Sequence, residues 1–281
     1  MKIGTSFPLT WLGDVGLLRE ASQAIEEAGF DFASIGGHIL GAAAGRYPGR
    51  PDRTYAACYR DPFVLFAHLA AITKRLRFRS SIMILPLYPT ALVARESADV
   101  SDLSGGRFEL GAAISWQPAE YEALGQAFNT RGARLEEQIG LLRRLWSEPL
   151  VSFSGRFETI DALGLVKLPE HPIPVLIGCG PDEPLLRRVA RIADGWLAVG
   201  DQLEEPIARL RGYAAQEGRG DGALRVVTML RIEGGEPDGW RAAAAKLEAA
   251  GVDELSLAAP PDAPPKDGLR QLLAAGEAVR S

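Results

Sequence analysis

Strand-like and helix-like segments alternate along the whole chain, and this alternation restricts the fold more than any single motif does. Short apolar runs such as KIGTSF at 2–7 and LRFRSSIMIL at 76–85 are typical of buried strands. Segments between them, such as GLLREASQAIEEAG at 16–29, repeat apolar residues with a helical period. We place strands at 2–7, 32–37, 76–85, 107–113, 173–178, 195–200, 224–232 and 253–259, and helices at 16–29, 61–74, 90–104, 132–146, 182–194, 203–218, 238–251 and 267–281.

The eight strand–helix pairs predict an α/β fold, a (β/α)8 TIM barrel that occupies residues 1–281 as a single domain. The segment PLVSFSGRFETI at 149–160 predicts a short hairpin inserted before the fifth strand. A doubly wound sheet is the competing fold, but it requires a glycine-rich phosphate motif after an early strand. The candidate GCGPDEP at 178–184 comes late and lacks the third glycine, which favours the barrel.

Charge and composition exclude several classes of function. The formal net charge is −5 and no basic tract is present, so neither nucleic acid nor a membrane surface is an expected partner. The chain has no leader-like N-terminus and no apolar run of about 18 residues or more. Cys58 and Cys179 are far apart and have no metal-ligand spacing, so we expect a reduced, cytoplasmic protein without a metal site.

A barrel assigns different roles to the two ends of each strand. Loops that follow strands carry the active site, whereas loops that precede strands stabilise the fold. The double glycine of LSGGR at 103–107 precedes the fourth strand, so we expect it to end a helix. ISWQP at 114–118 follows the same strand and is expected at the active-site face.

Two other strand ends carry candidate chemistry. GCGP at 178–181 precedes a helix, so its amides could bind a phosphate, although the segment could equally be an ordinary turn capped by Asp182. His38 follows two glycines at the end of the second strand, where a proton donor or a substrate-orienting group is useful; a structural role in the loop is the alternative. Trp11, Tyr88 and Trp116 are candidate aromatic walls for a flat ligand if they line the mouth, although aromatic residues in barrels more often serve packing.

The sequence lacks the usual means of cofactor-free catalysis. It has no G-x-S-x-G elbow, no lysine at a strand end and no histidine pair with metal-ligand spacing. A barrel mouth with one histidine, aromatic residues and a possible phosphate site is more typical of a cofactor enzyme. A metal-dependent hydrolase is a weaker alternative.

Three stretches resemble the luciferase-like monooxygenase superfamily, and within it the putative coenzyme F420-dependent (deazaflavin) oxidoreductases. They are SSIMILPLYPTALVARESADVSDLSGGRFELGAAISWQPAEYEALG at 80–125, RGARLEEQIGLLRRLW at 131–146 and PIPVLIGCGPDEPLLRRVARIADGW at 172–196. The resemblance extends to about residue 200. It implies a luciferase-like barrel that binds F420 or FMN at the carboxyl ends of its strands.

The resemblance also implies roles for individual residues. A bulge with a non-prolyl cis peptide in the third strand maps to Ser81 and Ile82, where it supports the cofactor ring. His38 matches an active-site histidine. The other positions that the resemblance assigns to the cofactor are Ala112, Ala113, Ser115 and Trp116 after the fourth strand and Gly178, Cys179 and Gly180 at the phosphate.

Two positions depart from the family pattern. The acidic residue that often precedes the histidine is Gly37 here, and Ile114 stands where sugar-phosphate dehydrogenases of the family have a catalytic glutamate. A sugar phosphate is therefore not the expected substrate. The loop at 41–60, with Arg46, Arg50, Arg53 and Tyr55, either shapes a different pocket or is a solvated lid.

We expect hydride transfer between F420 and an unidentified small organic substrate. Arg187, Arg188 and Arg191 follow the phosphate site and would suit the acidic tail of F420, unless they form a solvated face. The alternatives are an FMN-dependent monooxygenase served by a flavin reductase, and a non-catalytic flavin-binding barrel. Barrels of this family commonly pair, so we expect a homodimer.

Overall fold

The computed structural model describes residues 1–43, 45–47, 60–232 and 234–281, and eight parallel strands form a closed barrel within them. The strands in chain order are β1 (Lys2–Ser6), β2 (Phe32–Gly37), β3 (Arg77–Ile84), β4 (Phe108–Ala113), β7 (Val175–Cys179), β8 (Gly195–Ala198), β9 (Arg225–Arg231) and β10 (Glu254–Ala258). Around the barrel their order is β1-β10-β9-β8-β7-β4-β3-β2. The predicted (β/α)8 barrel is confirmed.

The hairpin expected before the fifth barrel strand is also present. Strands β5 (Val151–Ser154) and β6 (Thr159–Leu163) pair antiparallel outside the barrel. The hairpin extends three residues beyond its predicted end at 160.

Nine α-helices are found in the described part of the chain. They are α1 (Val15–Glu27), α2 (Pro62–Ala70), α3 (Thr90–Ser104), α4 (Pro118–Ala123), α5 (Arg131–Leu145), α6 (Glu183–Ile192), α7 (Glu204–Gln216), α8 (Pro237–Ala249) and α9 (Pro265–Arg280). Helix α4 is the one that the sequence did not predict, because it is short and its residues have no clear apolar period. None of the helices in the described ranges has the length and apolar character required to cross a membrane.

The glycines of LSGGR end a helix, as predicted. Gly105 adopts φ 69° and ψ 45° after the last turn of α3, and its amide bonds the carbonyls of Ser101 and Asp102. The amide of Gly106 also bonds the carbonyl of Ser101, at 2.8 Å. Left-handed geometry at a helix C-terminus favours glycine because it has no Cβ. This turn leads into β4 and lies at the end of the barrel opposite the site described below.

The barrel interior is filled by layers of inward-facing side chains. A middle layer contains Phe32, Leu176, Leu197 and Val227, which come from four different strands. The Phe32 ring occupies the space beside Gly4, where a Cβ would lie 2.4 Å from the ring. Because side chains alternate along a strand, residues two positions away face the interior above and below this layer.

Below that layer, five charged side chains close the floor of the barrel. Arg77 and Arg225 each place an Nη1 atom 2.7 Å from Oε1 of Glu109, and Arg79 donates through Nε to Oε2 of Glu109 at 2.7 Å. Glu254 bonds the same three arginines. Burial alone would raise the pKa of Glu109, but the three guanidinium groups outweigh burial and lower it to about 2.

A bulge interrupts β3 on the other side of the middle layer. Ile35 pairs with Ser80 and Gly37 with Met83, so β3 contains one more residue than β2 over this stretch. The Ser80 hydroxyl bridges the interrupted ladder, because it donates to the carbonyl of Gly111 and accepts its amide, both at 2.9 Å. A Cβ at position 111 would lie 1.9 Å from the Ser80 carbonyl oxygen, so the bulge requires glycine there.

Candidate functional site

A cavity of about 350 Å³ opens at the carboxyl ends of the strands, where barrel enzymes place their chemistry. Its walls come from the ends of β1, β2, β3, β9 and β10. The described lining residues are Ser6, Phe7, Pro8, Leu9, Gly36, Gly37, His38, Ser81, Ile82, Met229, Arg231, Ala258, Ala259 and Pro261.

The bulge in β3 forms one wall of this cavity. The peptide bond between Ser81 and Ile82 is cis, at the position that the resemblance implied. Gly36 on the neighbouring strand allows the bulge to approach, because a Cβ there would lie 2.8 Å from the Ser81 carbonyl oxygen. Gly36 on β2 and Gly111 on β4 therefore leave space for the backbone of the bulge, which lies against the cavity.

His38 extends the inward-facing series of β2 and forms the adjacent wall. Its Nδ1 atom lies 2.5 Å from Oε2 of Glu120, and the side chains are 14% and 1% exposed. The other carboxylate oxygen accepts the amides of Ile39 and Leu40 at 2.9 and 3.1 Å. Glu120 therefore fixes both the imidazole ring and the backbone that follows it. A buried carboxylate on one ring nitrogen is the usual support of a histidine that exchanges protons.

The sequence did not identify Glu120, because it lies on the unpredicted helix α4. A search of the strand ends themselves finds no obvious carboxylate base and does not reach this residue. Glu120 comes seven residues after β4 ends at Ala113, and the short helix returns its side chain to His38. An acidic residue in the first turn of a helix that follows an active-site strand was the available signal.

The first residues of the 41–60 loop are held against helix α4. The Tyr47 hydroxyl accepts the amide of Ala119 at 3.1 Å, and the Tyr47 ring lies edge-on to Trp116 with centroids 5.3 Å apart. Trp116 thus packs beside this segment, close to the mouth. Arg46 lies 5.9 Å from the Tyr47 ring centre. Arg50, Arg53, Tyr55 and Cys58 lie outside the described residues.

The residues after β4 form a tight turn beside the cavity wall. Ala112 and Ala113 are buried, whereas Ser115 has φ 54° and accepts the amide of Gln117 at 3.3 Å. Gln117 is only 2% exposed, and its Oε1 accepts no hydrogen bond from the described residues. An orphaned buried acceptor is uncommon and indicates a missing partner.

The predicted phosphate segment forms the end of β7 and the turn that follows it. Gly178 lies against Ile82, since a Cβ at this glycine would be 2.8 Å from the Ile82 Cγ2 atom. Gly180 precedes the N-terminus of α6, where the side chain of Asp182 makes no capping hydrogen bond. Burial raises the pKa of the Cys179 thiol to about 12, so this cysteine does not supply a thiolate.

The arginines after this segment are engaged with helix carboxylates. Arg187 pairs with Glu183 at 2.8 Å, and Arg188 and Arg191 pair with Glu136 at 2.6 and 2.7 Å. Their spacing therefore serves contacts within α6 and between α6 and α5. That these arginines would also suit an acidic cofactor tail stays a prediction.

The predicted site residues fall into two groups. His38, Ser81 and Ile82 line the cavity, whereas Ala112, Ala113, Ser115, Trp116, Gly178, Cys179 and Gly180 belong to the β4 and β7 side of the mouth. Ile82 connects the groups through its contact with Gly178. Trp11 is fully buried in the core and forms no wall, which agrees with the packing role.

A second cavity of about 580 Å³ lies between α7 and α8. Met229 lines both cavities, so they adjoin at the end of β9. Asp201 and Lys246 are among the charged residues of its walls. In the described parts of the chain, no three metal-binding side chains come close enough to hold a metal ion.

Curated proteins share sequence similarity with this chain over most of its length. An uncharacterized protein of Mycobacterium tuberculosis (strain ATCC 25618 / H37Rv) is 34% identical over 243 residues, which cover 83% of this chain and 82% of that protein. Pyrimidine monooxygenase RutA of Allorhizobium ampelinum (strain ATCC BAA-846 / DSM 112012 / S4) is 29% identical over 240 residues, which cover 81% of this chain and 63% of that protein.

Solved structures share the fold at lower sequence identity. Monooxygenase RslO1 from Streptomyces bottropensis superposes with a TM-score of 0.83 at 19% identity, covering 100% of this chain and 99% of that one. An F420-dependent secondary alcohol dehydrogenase, solved with an F420-acetone adduct, gives 0.79 at 15% identity, with the same shares covered. A family model described as luciferase-like monooxygenase matches residues 13–236. This match spans most of the barrel, and the chain belongs to the luciferase-like monooxygenase family.

Proposed function

We propose that the protein is an oxidoreductase that transfers a hydride between the deazaflavin F420 and a small organic substrate. One observation carries the proposal: the His38–Glu120 pair lies in the wall of the cavity that Ser81 and Ile82 also line. Interconversion of an alcohol and a carbonyl compound moves a hydride and a proton, and the pair provides the proton-transfer group.

The residues of the mouth fit a flavin-like cofactor. The backbone of the Ser81–Ile82 bulge would provide a platform for the ring, and Gly178 in β7 allows Ile82 to approach that strand. The uncapped N-terminus of α6 suits a phosphate, although Asp182 and Glu183 oppose its charge. The orphaned Oε1 of Gln117 would accept a hydrogen bond from a bound group. When bound at this mouth, F420 would supply the acceptor for the hydride of the substrate.

His38 moves the proton in this scheme. Its Nδ1 atom is engaged by Glu120, so we assign proton exchange with the substrate to Nε2. During alcohol oxidation Nε2 takes the hydroxyl proton as the carbonyl bond forms, and in the reverse direction it returns that proton. The carboxylate of Glu120 stabilises the imidazolium formed in between. Both groups are held before substrate arrives, which removes the cost of ordering them.

FMN-dependent monooxygenation is the second candidate, and the likeness to RutA favours it. RutA is named as a monooxygenase, and it matches 81% of this chain at 29% identity. With FMN the enzyme would need a flavin reductase as partner, and the same His38 would orient the substrate. A non-catalytic flavin-binding barrel would not require a cavity beside a held histidine.

Turnover under two sets of conditions separates these candidates. The protein is mixed with oxidised F420 and a panel of secondary alcohols without oxygen. In a separate assay it is mixed with FMN, a flavin reductase, NADH, oxygen and a panel of pyrimidines. We expect loss of the F420 absorbance in the first case, and His38→Asn should abolish it while F420 still binds. Turnover only with reduced FMN and oxygen would contradict hydride transfer to F420.

A further inference from the structure

We propose that the substrate extends from the cavity beside His38 into the second cavity, between α7 and α8, and that Met229 marks the passage between the two cavities. The inference rests on the proposed function and deepens it, since it assigns a substrate class to the same site. The class is a secondary alcohol, or the corresponding ketone, whose reacting carbon carries a long apolar substituent without an anionic end group.

The wall of the barrel is incomplete beside the carboxyl-terminal half of β9. Pairing between β8 and β9 stops at Leu197 and Val227. On its other side β9 stays paired with β10 as far as Arg231. Met229 on β9 is 47% exposed, and Val199, which follows β8, is 64% exposed. The early end of β8 therefore leaves an opening from the mouth of the barrel towards its outer surface.

Met229 lies at this opening. Arg225 bonds the floor carboxylates and Val227 belongs to the middle layer, so alternation along β9 directs Met229 into the mouth. Its neighbours Thr228 and Leu230 line only the second cavity, whereas Met229 lines both. A ligand that occupies both cavities would thus pass this side chain. Methionine is unbranched and has three rotatable bonds, so it can move aside for such a ligand.

The helices leave space for a ligand beyond the opening. Helix α7 packs against α6 and α8 packs against α9, and the second cavity of about 580 Å³ lies between α7 and α8. The cavity beside His38 is smaller, at about 350 Å³. Both volumes are on the scale of small-molecule sites. The barrel therefore offers more room for the remote part of a substrate than for its reacting end.

The lining of the second cavity suits an apolar group. Its larger apolar residues, which are buried or half-buried, are Leu203, Pro206, Leu230 and Leu247. The charged residues of the lining are exposed and form its rim, and they are Asp201, Glu204, Glu205 and Lys246. Three carboxylates against one ammonium group disfavour a ligand that ends in an anion.

The second cavity is distinct from the expected cofactor site. None of the described residues that line it is among those assigned to the cofactor ring or to its phosphate. The carboxylates of its rim would also repel the acidic tail of F420. The remote part of the substrate is therefore the occupant that fits this cavity.

The length of the ligand tests this inference. Calorimetry compares binding of 2-hexanol, 2-octanol and 2-decanol to the full chain, with and without F420. We expect affinity to rise about fourfold for each added methylene group, because each one is buried. Ala243→Phe fills the second cavity from α8, so 2-decanol should bind at least about tenfold more weakly while 2-hexanol binds as before. Ala245→Phe, at an exposed position of α8 outside the lining, should bind all three as the unaltered protein does.

A second probe tests the charge at the far end. 9-Hydroxydecanoate carries the same hydroxyl group as 2-decanol but ends in a carboxylate, and we expect it to bind more weakly. Replacing the rim carboxylates by Asp201→Asn and Glu204→Gln together should narrow this difference. Equal or tighter binding of 9-hydroxydecanoate to the unaltered protein would refute the assigned class.

Other results would overturn the second cavity as a substrate site. Affinity that stops rising beyond 2-hexanol, or 2-decanol binding that is unchanged in Ala243→Phe, would confine the substrate to the cavity beside His38. Loss of F420 or FMN binding in Ala243→Phe would make the second cavity part of the cofactor site. If the unaltered protein binds the longer alcohols as expected but oxidises none of them with F420, the proposed function fails while the second binding site stands.

Discussion

Oε2 of Glu120 lies 2.5 Å from Nδ1 of His38, and this contact joins the segment after β2 to the helix after β4. The same carboxylate bonds the amides of Ile39 and Leu40, so a single side chain organises the wall of the cavity. His38 on its own could be a loop residue. Held by a buried carboxylate, it has the support that proton transfer requires.

Replacing Glu120 tests whether this support matters. In Glu120→Gln the amide cannot both accept from Nδ1 and keep the two backbone bonds, so the ring loses its orientation and its preferred tautomer. We expect kcat to fall about 100-fold with cofactor affinity retained. NMR of ¹⁵N-labelled histidine should show a single Nδ1–H tautomer of neutral His38 in the unaltered protein and a mixture in the variant. Glu122→Gln, at an exposed position on the same helix, is the control. Equal kcat in both variants would refute a positioning role for Glu120.

The bulge in β3 predicts which glycines cannot be replaced. Gly111→Ala would place a Cβ 1.9 Å from the Ser80 carbonyl oxygen and 2.9 Å from Leu197, in a region without free space. We expect a loss of more than about 3 kcal/mol in the free energy of unfolding. Gly212→Ala, at an exposed position in α7 with nothing within 4 Å of the new Cβ, should add about 0.5–1 kcal/mol. Denaturant titration measures both changes, and equal stabilities would contradict the described packing.

The charged floor predicts how stability depends on pH. The folded-state pKa of Glu109 is about 2, below its ordinary value of 4.5, so its contribution is fully present above pH 4.5 and is lost as pH falls towards 2. The pKa of Glu254 is also lowered: burial would raise it, but Arg79 and Arg77 outweigh burial. We expect the free energy of unfolding to decrease by on the order of 3 kcal/mol between pH 5 and 2 from Glu109 alone.

A variant isolates this contribution. Glu109→Gln leaves three guanidinium groups facing one carboxylate, so it should cost about 3–5 kcal/mol at neutral pH. The variant should also lose part of the acid dependence, because the group that titrates is gone. Urea unfolding at a series of pH values measures both effects. An unchanged slope with pH in the variant would show that Glu109 does not titrate in this range.

The barrel was predictable from the sequence because apolar residues repeat with different periods in helices and in strands. Each segment is long enough for its period to be recognised. The turn at Gly105 was also predictable, since a double glycine between a helix and a strand usually ends the helix. The cis bond at Ser81–Ile82 and the position of His38 followed from the family resemblance. These residues line one cavity, as expected from their places on neighbouring strands.

Contacts between distant segments were not predictable. Glu120 meets His38 across 82 positions in the chain, and a one-residue bulge determines which side chains of β3 enter the mouth. Arg187, Arg188 and Arg191 are a second example. Their spacing along α6 suits an anion, but it does not show that Glu183 and Glu136 lie close enough to bind them. The spacing of charges along one helix does not reveal which partners the neighbouring helix supplies.

The most direct test of the central claim is equilibrium binding of F420 and FMN to the cofactor-free protein, followed by fluorescence. We expect saturable binding of F420 that is tighter than that of FMN. We also expect weaker binding of F420 in Gly178→Val, because the larger side chain would displace Ile82 from the ring platform. Gly212→Ala should bind as the unaltered protein does. Tighter binding of FMN would make the protein an FMN enzyme, and binding of neither cofactor would contradict a flavin-type active site at this barrel mouth.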